Sequence, residues 1–348
     1  MRIGLYGLPC AGKTTLMNQI QNMELVRGSE ILHCMARNSY GKEFRDLGLD
    51  EKDELRARLL NILKEKDNYI IDGHYAFGTQ PVQPDEETVV FDVSMYLYTA
   101  PEIIQERMKA SEKNRKYAEY DIESWQRLEM EKIREKCHKL NRDFYIISDN
   151  GRSFPDFLHA LSTGFSCYRK GKEIGEEILD LIPGKNIVIS DGDKTLAVQD
   201  TEYHFTHKGT KVFDGNFYTG YQTWLHWRER EPFEFDSKVI HLREKILSAV
   251  QNRGVVISSG PEKVWKLIAE DKKIPLFTGN DISADTKYFV VKILREAGKL
   301  VTAYGDSMSD YYMLREADMG ILLWNGRFSR SLKERDISHF YIMNGEDY

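Results

Sequence analysis

Residues 7–15 read GLPCAGKTT. A glycine, four residues, then Gly12-Lys13-Thr14 is the spacing of a phosphate-cradling loop, and its flanks suit that reading. The apolar run MRIGLYG precedes it as a short strand, and AGKTTLMNQIQNM follows with helical spacing. The chemistry explains the residue types. Gly7 and Gly12 let successive backbone N–H groups turn inward around an anion, and the helix start adds its positive dipole end. Lys13 is expected to reach the β- and γ-phosphates of a nucleotide, and Thr14 to hold Mg²⁺ through its hydroxyl, with Thr15 completing the ATP-binding set. Cys10 lies inside the loop, where its thiol either packs or makes ATP binding sensitive to oxidation.

Outward from that loop, 348 residues are too many for one core of ordinary size, so two domains are expected. Hydrophobic content of 41% is that of a soluble globular chain. Net charge is −6, with 22 basic against 26 acidic residues up to 150 and 27 against 29 beyond. Neither half presents the excess of basic charge that marks a broad nucleic-acid surface. Cys10, Cys34, Cys137 and Cys167 show no C-x-x-C spacing, which argues for reduced thiols in a cytoplasmic protein and against zinc. No apolar run nears the roughly 20 residues of a membrane span, and no leader is expected before MRIGLYG.

Strands and helices alternate through the first half. DELRARLLNILKEK is amphipathic, with apolar positions 55, 59, 62 and 63; NYIIDG, VSMYLYT and FYIIS are short buried strands. A charged helix is expected over about 121–140, and Pro101 opens another. The pattern predicts an α/β chain with two doubly wound parallel-sheet domains, 1–150 and 187–348, joined by a linker over 151–186. After 187 the strands are NIVIS, GVVISSG, LVTAYGD and DMGILL. Between the first two lies an aromatic insertion, about 197–250, that holds Tyr221 and Trp224.

There is no N-K-x-D, the guanine reader a GTPase needs. Instead, on GLPCAGKTT, YIIDGHY and YLYTAPEIIQERMKASEKNRK, residues 1 to about 150 resemble the adenylate-kinase-like group of small P-loop kinases. The resemblance implies ATP as donor. Arg107 and Arg115 would clamp the transferring phosphoryl group, where they stabilise developing charge. Asp72 would either hold Mg²⁺ through water or take the acceptor's proton. His74, Arg37, Arg45 and His33 are acceptor-side candidates that suit an anion.

The second motif is SDGDKTL, 190–196, directly after a strand. D-x-D-x-T there, with VVISSG and GDSMSD at later strand ends, resembles the haloacid dehalogenase superfamily of phosphatases over 187 to about 330. By that resemblance Asp191 is the nucleophile that forms an aspartyl-phosphate, and Asp193 the general acid and base. Thr195 would steady the loop, and Ser259, or else Ser258, would bind the phosphoryl oxygens. Lys287, or else Lys292, would offset the local negative charge. Mg²⁺ would be held by Asp191, the Asp193 backbone carbonyl and Asp306, with Asp310 in support. Lys194 stands where many members carry glycine. The insertion occupies the slot of a mobile cap, whose aromatics either form its core or stack on a base or sugar.

Two complete sites imply a bifunctional kinase and magnesium phosphatase, and their order resembles polynucleotide kinase-phosphatases. The acidic balance favours a small phosphorylatable substrate, such as a nucleoside, nucleotide or sugar. A polynucleotide end is the alternative. A third reading makes one domain a nucleotide-sensing module that regulates the other.

Overall fold

The computed structural model describes residues 1–73, 76–77, 80–81, 90–208, 218–333 and 335–345. The chain divides into two compact units, Met1–Gly164 and Phe165–Tyr348. Each is α/β and is built on a wholly parallel sheet.

In the first unit the strands are β1 (Arg2–Tyr6), β2 (Glu24–Val26), β3 (Tyr69–Asp72), a short pair β4 (Ala76–Phe77) and β5 (Gln80–Pro81), then β6 (Val93–Leu97) and β7 (Asp143–Ile147). The sheet order is β2-β3-β1-β6-β7, with β4 and β5 paired apart from it. The helices are α1 (Lys13–Met17), α2 (Gly28–Tyr40), α3 (Leu49–Lys64), α4 (Pro101–Ala110), α5 (Ile122–Lys139) and α6 (Phe154–Ser162). Ile3 and Leu5 of β1 are wholly buried, as are Met95 and Tyr96 of β6, because helices cover both faces of a parallel sheet. The chain winds from β1 to one side and then crosses to the other, so a crevice opens at the C-terminal end of β1. Leu5 pairs there with Asp72 on one side and Met95 on the other.

α3 corrects the sequence reading in one detail. Its buried stripe is Leu55, Leu59, Leu60 and Leu63, whereas Ile62 is 45% exposed. The stripe centres on Leu59 and Leu63, and Ile62 falls at its margin.

In the second unit the sheet order is β10-β9-β8-β11-β12-β13. These are β8 (Asn186–Ser190), β9 (Gly254–Ser258), β10 (Leu276–Thr278), β11 (Leu300–Gly305), β12 (Met319–Trp324) and β13 (Tyr341–Asn344). The edge strands β10 and β13, and β2 in the first unit, escape the sequence reading. They are only three or four residues long, too short to show a strand period. The helices are α7 (Cys167–Leu181), α8 (Thr201–Thr206), α9 (Gly220–Glu229), α10 (Glu244–Arg253), α11 (Glu262–Lys272), α12 (Ala284–Glu296) and α13 (Met308–Glu316).

The stretch 151–186 is more than a connector. α6 closes the first unit, with Phe154 and Phe157 wholly buried. α7 belongs to the core of the second, where Ile174 and Ile178 pack with Val290 and Leu294 of α12. Gly171 and Gly175 make that approach. A Cβ at Gly171 would stand 2.6 Å from the Phe289 Cβ, and one at Gly175 2.9 Å from the Ile293 Cγ2.

The insertion is also shorter than 197–250. α10 packs on β8 and β9, with Ile246 and Val250 in the core, so its tail is part of the central fold. Tyr221 is wholly buried and Trp224 is 8% exposed, their rings stacked 6.0 Å apart. Both aromatics are thus buried, as the core reading of the inserted segment expects.

Candidate active sites

The first site lies at the C-terminal end of β1. Gly7 (φ 146°) and Gly12 (φ 101°) hold backbone angles that only glycine adopts without strain, and Cys10 also has positive φ, at 66°. A Cβ at Gly7 would stand 3.0 Å from the Leu97 carbonyl. The loop is pinned from behind: Thr99 Oγ1 donates to the Ala11 carbonyl at 2.8 Å, and Gln126 Nε2 donates to the Thr99 carbonyl at 2.9 Å. Lys13 is 7% exposed, and its Nζ donates to the carbonyls of Gly7 (2.5 Å) and Leu8 (3.2 Å). Burial draws its pKa down to about 8, opposed by Glu129, Asp72 and Cys10. Thr14 and Thr15 are exposed in the first turn of α1.

A cavity of about 2060 Å³ opens over this loop and takes in Lys13, Thr14, Asp72 and Arg107. That is above the roughly 300–1,000 Å³ of ordinary small-molecule pockets. Asp72, at the end of β3, accepts from the Gly28 backbone N–H at 3.2 Å and so ties the start of α2. Arg107, near the end of α4, donates to the Cys10 carbonyl at 3.2 Å. The loop after α4 adds Asn114, whose Nδ2 donates to Cys10 Sγ at 3.3 Å.

The candidates separate here. Arg107 lines the cavity; Arg115 does not, and its Nε donates to the Lys109 carbonyl at 3.1 Å. Lys113 and Lys116 line the cavity in that loop instead, because the turn of Arg115–Tyr117 points neighbouring side chains in different directions. On the acceptor side His33 and Arg45 line the cavity. Arg37 does not, and pairs with Glu43 at 2.8 Å on the surface. Arg56 and Lys52 of α3 also line it and were missed. Their signal was available in helical spacing, since four residues place both on one face. His74 lies outside the described residues.

The second site lies where β8 and β11 end side by side, with the start of α13 beside them. Carboxylate oxygens of Asp191, Asp306 and Asp310 all lie within 4.8 Å of one another, and all three residues are buried. Lys287 of α12, wholly buried, donates to Asp191 Oδ1 at 2.5 Å and to Asp310 Oδ1 at 2.7 Å. Lys292 points elsewhere, toward Glu296 at 4.0 Å. Asp310 Oδ2 accepts from the backbone N–H groups of Asp306 (3.1 Å) and Ser307 (3.3 Å), which aims it inward. Burial and the Asp310 charge push the Asp191 carboxyl up to about 7, against the pull of Lys287. Burial and repulsion from Asp310 and Asp191 push Asp306 well above the carboxylate range. Crowded hard oxygens at this spacing fit Mg²⁺, which Asp191 and Asp306 would hold directly.

Asp193 projects away from that cluster. Its Oδ1 accepts from Thr201 Oγ1 (2.7 Å), the Thr201 backbone N–H (3.2 Å) and Trp265 Nε1 (3.1 Å). Burial and the Asp200 charge still raise it to about 6. Lys194 sits in the left-handed region at φ 57°, which is why glycine is at home in this place. Its Nζ bonds Asp200 at 2.6 Å. Thr195 is wholly buried, and its hydroxyl has no hydrogen-bond partner among the described residues. Arg243, 2% exposed, staples this turn by donating to the carbonyls of Lys194, Thr195 and Ala197. Nothing in its local sequence singles out that role. Ser258 is buried at the end of β9, and its Oγ accepts from the Gly260 N–H at 3.0 Å. Ser259 is half-buried.

Residues 6–126 match a family model described as an AAA domain. That is about a third of the chain, and it covers the phosphate loop, Asp72, Arg107 and Arg115. No curated protein matches the sequence. Similar solved structures include shikimate kinase from Bacteroides thetaiotaomicron, 18% identical, covering 47% of this chain and 98% of its own with a TM-score of 0.31. Deoxyadenosine kinase from M. mycoides is 16% identical, covering 47% of this chain and 100% of its own, with a TM-score of 0.28. A structure of the Pnkp1/Rnl/Hen1 RNA repair complex is 12% identical and covers 99% of this chain and 94% of its own, with a TM-score of 0.26. At these scores the likeness carries no weight for activity, which has to be argued from the two sites. Among the described residues no helix is long and apolar enough to cross a membrane.

Proposed function

We propose that the chain has two phosphoryl-transfer centres. The first unit is an ATP-dependent kinase and the second a magnesium-dependent phosphomonoesterase. The observation that carries the second centre is Lys287 bridging Asp191 and Asp310, with Asp306 beside them and Asp193 two residues away in a separate environment.

In the kinase centre Lys13 and the loop N–H groups hold the donor phosphates, and Arg107 meets charge developing on the transferred group. Asp72 would take the acceptor proton or hold Mg²⁺ through water. Arg45, Lys52 and Arg56 on the acceptor side suit a substrate that already carries negative charge. Thr14 would hold Mg²⁺.

In the phosphatase centre an oxygen of Asp191 attacks phosphorus, and the ester P–O bond breaks. Asp193 gives its proton to the departing oxygen. The aspartyl-phosphate is then opened by water, whose proton passes to Asp193, and inorganic phosphate leaves. Asp193, raised to about 6, is matched to giving and taking a proton near neutral pH. Lys287 pulls the Asp191 carboxyl back toward its ionised form against burial and the Asp310 charge. Mg²⁺ supplies charge neutralisation for the phosphoryl oxygens when bound.

The substrate we favour is small: a nucleoside, nucleotide or sugar. A polynucleotide end is the second reading, and the cavity volume of about 2060 Å³ is what favours it. The experiment is a crossed pair of variants. Lys13→Ala should remove ATP-dependent transfer and spare phosphatase turnover, and Asp191→Asn should do the reverse. Either change abolishing both in a folded protein would overturn the two-centre reading. Labelled ATP with a metabolite panel against 5′-hydroxyl oligonucleotides decides the acceptor class.

A further inference from the structure

Beside Asp193 lies a buried polar group that the two-centre reading leaves unused. Thr201, which donates to Asp193, is followed in α8 by Glu202. Glu202 Oε2 lies 2.9 Å from His226 Nε2 and accepts from Arg230 Nη2 at 2.8 Å. The same Nη2 is 2.8 Å from His226 Nε2 and donates to the Ser259 carbonyl at 3.3 Å. All three side chains are nearly buried: Glu202 is 16% exposed, His226 13% and Arg230 11%.

The guanidinium is used lopsidedly. Among the described residues its hydrogen bonds fall on Nη2, while Nε and Nη1 are shut from solvent and have no hydrogen-bond partner there. Arg243 in the same unit is the contrast. Its Nε, Nη1 and Nη2 all donate, to the Gly345 carbonyl, to three carbonyls of the 194–197 turn and to Asn325 Oδ1. That is how an arginine serves structure. Buried donors left without acceptors are rare and call for a partner.

The position of Arg230 says which partner. It holds the carbonyl of Ser259, one of the two serines at the end of β9 considered for the phosphoryl oxygens. The next residue, Gly260, has no side chain, and a Cβ there would stand 2.8 Å from Asp193 Oδ2. Arg230 is therefore tied, through Glu202 and Ser259, to the two segments that flank the proton-transferring carboxyl. Its plane rests on Trp227, 4.6 Å from the ring centroid. A guanidinium whose plane is set by a ring and an acid is pre-oriented for an oxyanion.

We propose that Arg230 binds a second anionic group of the phosphatase substrate, a phosphate or phosphodiester flanking the phosphomonoester that Asp191 attacks. The proposal rests on the phosphomonoesterase reading. The shared chemistry has two sources: the second phosphate of a small bisphosphate, or the phosphodiester next to a phosphorylated oligonucleotide end.

The test uses the full chain with Mg²⁺ and three substrates: p-nitrophenyl phosphate, a nucleoside 3′,5′-bisphosphate and a 3′-phosphorylated oligonucleotide. In Arg230→Ala the kcat/KM on a substrate with the second anion, divided by that on p-nitrophenyl phosphate, is expected to fall about 10- to 100-fold, the range for a lost charge-assisted hydrogen bond. The fall should lie mainly in KM, and Arg230→Lys should recover part of it. The substrate that shows the fall identifies the source. An unchanged ratio, with all three substrates affected equally or not at all, would overturn the proposal alone. A wild-type chain inactive on all three would overturn the phosphatase reading and the proposal with it.

Discussion

The Lys287 ammonium stands between Asp191 and Asp310, 2.5 Å from one carboxylate oxygen and 2.7 Å from the other. All three side chains are at most 8% exposed. One buried ammonium thus lies among three clustered carboxylates once Asp306 is included, with Lys194 adding a further pull on Asp306.

Removing that ammonium has a double consequence. Lys287→Met should abolish phosphatase turnover and lower the stability of the second unit by about 3–5 kcal/mol, the usual cost of leaving a buried partner charge uncompensated. Lys292→Ala, by contrast, should keep turnover and change stability by less than about 0.5 kcal/mol. Thermal melts and phosphate release read both. Loss of turnover in Lys292→Ala would mean that the compensating charge has been assigned to the wrong lysine.

Asp306 is held in an environment that resists its charge. Asp306→Asn removes one repelling carboxylate, so in chelator the melting midpoint should rise by about 2–4 °C, roughly 1 kcal/mol for a unit of this size. The wild-type midpoint should rise on adding Mg²⁺, and the variant should lose most of that gain. Calorimetry with and without Mg²⁺ measures it. A variant that melts lower in chelator would mean the carboxylates are better satisfied than their packing indicates.

Arg107 and Arg115 should behave differently in the kinase assay. Arg107 lies at the phosphate loop, and its loss should cost about 10- to 100-fold in kcat. Arg115 bonds the Lys109 carbonyl outside the cavity, so Arg115→Ala should cost less than about threefold. Equal losses would show that the turn of Arg115–Tyr117 rearranges around the nucleotide to bring Arg115 inward.

The pair that closes the base of the first sheet gives a pH signature. Asp92 Oδ1 bonds Arg2 Nη2 at 2.8 Å, and Asp92 Oδ2 accepts from the Arg2 backbone N–H at 2.9 Å. Burial raises the Asp92 carboxyl, but these bonds outweigh it and hold the pKa below the ordinary value. A depressed acid binds fewer protons folded than unfolded. Its stabilisation is therefore present above the unfolded pKa, about 4, and is lost as pH falls through the folded value. Both side chains are about a third exposed, so solvent screening limits the effect to about 1 kcal/mol. Asp92→Asn should lose that amount at pH 7 and show a shallower acid limb below about pH 4. An acid limb identical to wild type would remove Asp92 from the account.

Much of the fold was legible because its signals are local. Ile187, Val188 and Ile189 announce a buried strand without reference to anything distant. So do Gly7 and Gly12, whose positive φ angles are a property of the glycine backbone itself. α7 falls inside the expected linker for the opposite reason. Gly171 and Gly175 lower helix propensity, and their value appears only where α12 presses against them. The ends of the insertion were misjudged likewise, since α10 is told from it only by its packing on β8 and β9.

By itself the sequence determined the α/β class, the two phosphate-chemistry motifs and the candidates around each, because backbone geometry and strand periodicity are written in neighbouring residues. It left choices open, Lys287 or Lys292 and Tyr221 and Trp224 as core or as ligand contacts, and it took Arg107 and Arg115 together as one clamp. Only the tertiary structure decided where these side chains lie. Five residues along a helix turn a lysine from a buried carboxylate cluster to a partly buried place beside Glu296, and that difference exists only once α12 lies against the ends of β8 and β11. Arg230 follows the same rule: in sequence it is one charge in a polar run, and its unused nitrogens acquire meaning only from the buried groups that surround it.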